Sequence, residues 1–222
     1  MIKRHPEPDL LVEYTSGTMQ LAPCISVTAH LNYCDKCSQA VESLKSLGGS
    51  MLETCEKSVV SDNLLDRVLD CIEQEGDIPR AETPRRTQDS LDASVRDLPE
   101  YVRDLLPAGA LPWRSLTSSL RVAPVSVGEE HYELALHRIL AGGKAPEHDH
   151  RGMEITVVLK GSFSDEDGLY QPGDFIVRQP GDTHRPLAAK NEECICLSVL
   201  EAPIRLTGVK RVLNPFLGFS PS

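Results

Sequence analysis

The sequence predicts a two-domain α+β protein: a small N-terminal helical bundle built around a metal, then an all-β sandwich or barrel with a metal site of its own. Three observations lead there. His30-Leu-Asn-Tyr-Cys34-Asp-Lys-Cys37 spells H-x3-C-x2-C near the start. His148-Asp-His150-Arg-Gly-Met-Glu154 spells H-x-H-x3-E near the end, with His184 about one hairpin later. Between them the apolar period changes from helical to alternating.

Residues 1–75 read as four short helices. Asp9 to Tyr14 is a short apolar stretch closed by Ser16-Gly17. Met19 to His30 is a second helix, with Pro23 tolerated in its first turn. Ala40, Val41, Leu44 and Leu47 recur at helical spacing, and Gly48-Gly49 is expected to stop that helix. Ser61 or Asp62 caps a fourth segment with Leu64, Leu65, Val68, Leu69 and Ile72 on one face, ended by Gly76. Four such helices share a thin core, so a metal staple is expected to matter.

Residues 76–98 are polar and charged, with two prolines, and read as a linker with a helical turn near Leu91 to Leu98. Residues 99–215 read as strands and turns. Tyr132, Leu134, Leu136 and Arg138 alternate with Glu133, Ala135, His137 and Ile139. Ile155 to Leu159 is β-branched and ends at Lys160-Gly161. Gly173-Asp-Phe-Ile-Val-Arg and Cys194 to Leu200 are further strands. Residues 216–222 are a tail.

Composition narrows the function. The chain has 222 residues, 40% of them hydrophobic, enough for packed cores. Its charge of −10 argues against direct nucleic-acid binding, though an acidic protein can meet the basic surface of a partner that binds nucleic acid. Met1-Ile-Lys-Arg-His leads into an acidic stretch rather than an apolar one, and no apolar run is long enough to span a membrane. A cytoplasmic protein is expected. Seven cysteines, an odd number, then read as thiols and thiolate ligands rather than a disulfide framework.

His30, Cys34 and Cys37, spaced by four and three, project from one helix face. Thiolates with imidazole favour zinc. The fourth ligand is open among His5 and Cys24 upstream and Cys55 and Cys71 downstream. The alternatives are an incidental CxxC in a small core, or a redox CxxC, which would need a preceding strand. In the second cluster, His148 and His150 share a strand face, with Glu154 two pleats further on. His184 follows the tight turn Pro180-Gly181-Asp182. Three imidazoles and a carboxylate suit zinc, manganese, iron or nickel; the alternative is four polar side chains on a wet sheet. His131 and His137 read as surface or packing residues. Cys194 and Cys196 put two thiols on one strand face, as core residues or as an oxidant-sensitive pair.

Gly142, His148, His150, Glu154 and Gly161, with Gly173, Gly181 and His184, resemble the paired motifs of the cupin superfamily, which implies a jelly-roll barrel. Pro180 stands one place nearer Gly181 than usual, and Ala188 replaces a common Asn. The H-x3-C-x2-C resembles the zinc-binding anti-sigma motif. The two in this order, over nearly the whole chain, resemble the ChrR-type anti-sigma factors. That resemblance implies His5 as the fourth ligand beside His30, Cys34 and Cys37, and His148, His150, Glu154 and His184 as the cupin ligands. The Cys194/Cys196 pair also resembles that family's C-x-C. The function implied is sequestration, one to one, of an extracytoplasmic-function sigma factor of the RpoE type, released on singlet-oxygen or organic-hydroperoxide stress. The charge agrees: residues 1–75 carry 12 Asp+Glu against 6 Lys+Arg, a net of −6. The rival reading is a metal-dependent cupin enzyme, dioxygenase-like, in which the helical domain has no role. A storage or carbohydrate-binding cupin is disfavoured for the same reason.

Overall fold

The computed structural model describes residues 2–74, 92–106, 110–128 and 130–207, with Phe219 and Pro221. Helix α1 (Pro8–Ser16) starts with proline, whose missing N–H costs nothing in a first turn, and ends on the left-handed Gly17. Helix α2 (Leu21–Leu31) likewise carries Pro23 in its first turn. Helix α3 (Asp35–Thr54) departs from expectation by running straight through Gly48 and Gly49. Neither glycine turns left-handed. Helical glycine costs only about 1 kcal/mol, and the good helix formers Met51, Leu52 and Glu53 carry the helix on.

Helix α4 (Leu64–Gln74) forms as expected but does not join the bundle, which therefore consists of α1, α2 and α3. Its apolar residues stand exposed, from 38% at Leu64 to 67% at Leu65. Gly76 and most of the predicted linker lie outside the described residues. The expected turn there is a 3-10 turn at Ala93–Val95, capped by the Asp92 carboxylate, and Val95 and Leu98 are buried. A helix that the strand reading of 99–215 missed, α5 (Glu100–Leu105), follows Pro99. Among the described residues no helix is long and apolar enough to cross a membrane.

Twelve strands follow among the described residues: β1 (Arg114–Ser115), β2 (Leu120–Pro124), β3 (Glu133–Ile139), β4 (His148–Asp149), β5 (Glu154–Lys160), β6 (Phe163–Asp165), β7 (Gly168–Tyr170), β8 (Phe175–Arg178), β9 (Thr183–His184), β10 (Leu187–Ala188), β11 (Cys194–Leu200) and β12 (Arg205–Leu206). They form a six-stranded sheet ordered β1-β2-β3-β11-β5-β8 and two three-stranded sheets, β12-β4-β9 and β10-β6-β7. Every pairing is antiparallel.

The large sheet is covered on both faces, so β11 is buried at every position and reads as an apolar run. One face lines the barrel, where Cys194, Cys196, Val158, Phe163, Tyr170 and Ile176 cluster. The other packs Leu136, Val157, Leu197 and Val199 against Ile25, Val27 and Val41 of the helices and against Val95 and Val102. Bundle and barrel thus share one core. Polar contacts fix it, including Tyr33 Oη to the Leu159 carbonyl at 2.9 Å and Tyr101 Oη to the Ile25 carbonyl at 2.6 Å.

Candidate metal centres

The N-terminal group is assembled from three pieces of chain. The expected single helix face is corrected here, because the chain breaks between Leu31 and Asp35: His30 sits in the last turn of α2, Cys34 is the residue before α3 and Cys37 lies in its first turn. His5 arrives on the extended segment before α1. One ligand atom from each of the four lies within 4.8 Å of the others. His5 Nδ1 is 3.4 Å from both sulfurs, and the His5 and His30 rings stand nearly perpendicular, 5.5 Å apart. Of the four fourth-ligand candidates only His5 is brought in. Cys24 stays half-buried on α2, and Cys55 and Cys71 are exposed.

The environment fits a cation. His30 Nδ1–H donates to the Gly173 carbonyl at 2.6 Å, which leaves Nε2 as a bare acceptor. That atom is buried and has no hydrogen-bond partner. Burial lowers the His30 pKa, so the ring is neutral, as a ligand must be. Burial pushes the Cys37 thiol up to about 11, and the neighbouring Cys34 sulfur adds to the rise. Thiolates at this place need a positive partner.

The second group lies in the barrel. Antiparallel pairing of β4 with β9 sets His148 directly opposite His184. His150 follows β4, and Glu154 opens β5. The expected single extended face through His148, His150 and Glu154 is corrected here: the chain leaves the small sheet after Asp149, bends at Arg151-Gly152 and enters the large sheet at Glu154. A Cβ on Gly152 would sit 3.0 Å from Ala202 and Glu201, so the bend is tight. The ligand atoms of all four residues still lie within 4.8 Å of one another, and all four are buried.

Each imidazole is aimed by an acceptor behind it. His148 Nδ1 donates to the Pro146 carbonyl (2.9 Å), His150 Nδ1 to the Asp182 carbonyl (2.7 Å) and His184 Nδ1 to the Asp165 carboxylate (3.0 Å). All three Nε2 atoms therefore face inward, the arrangement of metal-binding histidines. Glu154 Oε2 lies 2.7 Å from His150 Nε2, and its Oε1 accepts from Ser198 Oγ at 2.9 Å. Burial alone would raise the Glu154 pKa, but the His150 hydrogen bond and the surrounding imidazoles hold it well below the usual carboxylate range. Burial brings His148 down to about 4. A buried carboxylate among inward lone pairs suits a divalent cation.

Cys194 and Cys196 face the barrel interior, buried, with sulfurs 3.6 Å apart. Their mutual hydrogen bond and then burial raise the Cys196 pKa, which keeps it a thiol. The sequence reading missed Asp165, whose side chain is 0% exposed and which also accepts from Arg178 at 2.6 Å. Nothing in a hairpin Asp marks it before the fold is known.

Comparisons with known proteins agree with this layout. The ChrR cupin-like domain family matches residues 103–202. The anti-sigma-E factor ChrR of Cereibacter sphaeroides is 32% identical over 219 residues, covering 97% of this chain and 98% of that protein. The crystal structure of Rhodobacter sphaeroides SigE in complex with the anti-sigma ChrR superposes with a TM-score of 0.72 at 29% identity, covering 90% of this chain and 100% of the matched one. The polyketide cyclase RemF from Streptomyces resistomycificus matches at 17% identity and a TM-score of 0.41, over 48% of this chain and 88% of its own.

Proposed function

The chain belongs to the ChrR-type anti-sigma factors, and from that premise we propose that it sequesters an extracytoplasmic-function sigma factor of the RpoE type, one to one, through its helical half. The barrel half registers singlet oxygen or an organic hydroperoxide and the partner is given up. The site of action is the cytoplasm, where sigma factors meet RNA polymerase.

One observation carries this reading. The apolar stripe of α4 is uncovered, and the end of α3 likewise exposes Leu47, Met51 and Leu52, at 57%, 61% and 74%. A stripe at helical spacing on an amphipathic helix is what a partner's groove accepts. Asp62, Asp66 and Asp70 sit among these apolar positions, a complement to the basic surfaces with which sigma factors meet DNA. The relative matched over almost its full length is an anti-sigma factor, and the matched crystal structure holds such a factor against SigE.

His5, His30, Cys34 and Cys37 would hold zinc as a closed structural site, and the metal would supply folding energy to the junction of α2, α3 and the N-terminal segment. His148, His150, Glu154 and His184 would hold zinc, manganese, iron or nickel; such a metal supplies a Lewis-acidic, partly open centre. Around it the chain's own residues orient the imidazoles, exclude bulk water and keep Cys196 protonated. A cupin enzyme would leave both the Cys/His group and the α4 face without a use.

The test is to co-express the chain with a candidate sigma factor, purify by a tag on one partner and count metals. A one-to-one complex with about two metals is the expected result. No co-purifying sigma factor, with metal only in the barrel half, would favour the enzyme.

A further inference from the structure

The ligands of the two centres are held by opposite ends of one short stretch, residues 165–174. At its start, Asp165 Oδ2 accepts from His184 Nδ1 and its Oδ1 accepts the Tyr170 hydroxyl, both at 3.0 Å. At its end, the Gly173 carbonyl accepts from His30 Nδ1 at 2.6 Å. Asp174 Oδ1 accepts the backbone N–H groups of Lys3 (2.8 Å) and Arg4 (3.0 Å), the residues just before His5. Phe175 N–H donates to the Arg4 carbonyl at 3.1 Å, so the N-terminal segment is laid along the free edge of β8.

The stretch is tied up as one unit. Tyr170 packs on Phe163 with ring centres 4.8 Å apart, and Asp174 Oδ2 accepts the Gln171 N–H at 2.8 Å. The Arg4 guanidinium lies 5.9 Å over the Tyr170 ring and donates to the Asp167 carbonyl at 3.3 Å. A shift of Asp165 that follows His184 therefore moves the acceptors of His30 and of the His5 segment.

We propose that residues 165–174 are the mechanical coupling between the two centres, so that a filled barrel site strengthens metal retention at the Cys/His site and the reverse. Coupling free energy between two binding events is reciprocal, so the two effects are equal in size. The coupling needs no partner; its use in releasing a sigma factor rests on the function proposed above.

Cobalt(II) titration of the full chain tests it, because a thiolate-to-cobalt charge-transfer band reports the Cys34/Cys37 site, whereas the barrel group His148, His150, Glu154 and His184 offers no sulfur. Emptying the barrel with His148→Ala is expected to weaken cobalt binding at the Cys/His site about fivefold or more. Emptying the Cys/His site with Cys34→Ser and Cys37→Ser should weaken the barrel site by the same factor. Asp174→Ala, which frees the N-terminal segment, and Tyr170→Phe, which removes one hydroxyl from the hairpin, should each shrink that factor. The proposal fails if His148→Ala leaves cobalt half-saturation of the thiolate band unmoved, or if its effect survives undiminished in both the Asp174 and Tyr170 variants. No sigma factor enters the measurement, so it stands or falls apart from co-purification.

Discussion

The Nε2 atoms of His148 and His184 face each other at 3.0 Å, each ring carrying its proton on the Nδ1 that donates elsewhere. Two imidazole lone pairs at that distance repel unless a cation or a shared proton lies between them. Burial lowers the His148 pKa from 6.5 to about 4. Between those values the unfolded chain binds more protons than the folded one, so this group's stability is fully present above 6.5 and lost as pH falls towards 4. Glu154, held low, acts in the same sense. His150 opposes them: burial would lower its pKa, but Glu154 raises it, so its contribution is greatest on the acid side. The metal-free chain is expected to melt several degrees lower at about pH 5 than at neutral pH, with a flatter slope in His148→Gln. Equal melting temperatures at the two pH values would contradict this.

Much of this was legible in the sequence because it rests on local spacing. His30, Cys34 and Cys37 meet because a helix end and the next helix start put residues four and three apart on one side. His148 and His150 lie close because they are two residues apart, and the Pro-Gly turn marks where His184 enters, although His184 reaches His148 only through the β4–β9 pairing. What stayed hidden is long-range. Asp165 meets His184 only once β6 of one small sheet and β9 of the other are brought together, and Asp174 meets Lys3 and Arg4 about 170 residues away in the chain. The glycine pair at 48–49 misled for the opposite reason. Gly permits a helix stop, but the next residues decide whether one occurs.

His5→Ala removes one of four ligands at the Cys/His group. Losing even an outer partner of a metal ligand costs about 10- to 100-fold in affinity, so losing the ligand itself should cost about 100-fold or more. Chelator competition measures it, and alkylation of Cys34 and Cys37 should speed up in parallel. Unchanged zinc content would pass the role to Cys24 or another residue.

Leu65→Asp and Ile72→Asp act on α4 alone. Both side chains are more than half exposed, at 67% and 64%, so neither change should move the melting temperature of the free chain by more than a degree or two. Each should weaken sigma-factor binding by about 2 kcal/mol, roughly thirtyfold in Kd. Titration calorimetry against the purified partner reads this directly. Full-strength binding by the double variant would move the interface off α4.

Gly173→Ala probes how closely the bundle sits on the barrel. Gly173 has φ +90°, and an added Cβ would stand 2.6 Å from Tyr33 Cβ and 2.7 Å from Ile2 Cδ1. No L residue takes that backbone cheaply, and Tyr33 is anchored by its hydroxyl to the Leu159 carbonyl. The substitution should cost on the order of 2–3 kcal/mol through strain and overpacking together. The relief it finds is to push Tyr33 and the N-terminal segment outward, carrying His30 off the Gly173 carbonyl. Denaturant unfolding should show the loss, and hydrogen exchange should rise first at residues 2–5 and at the end of α2. A variant as stable as the parent, with those amides equally protected, would mean that the bundle sits less tightly on the β7–β8 turn than these contacts require.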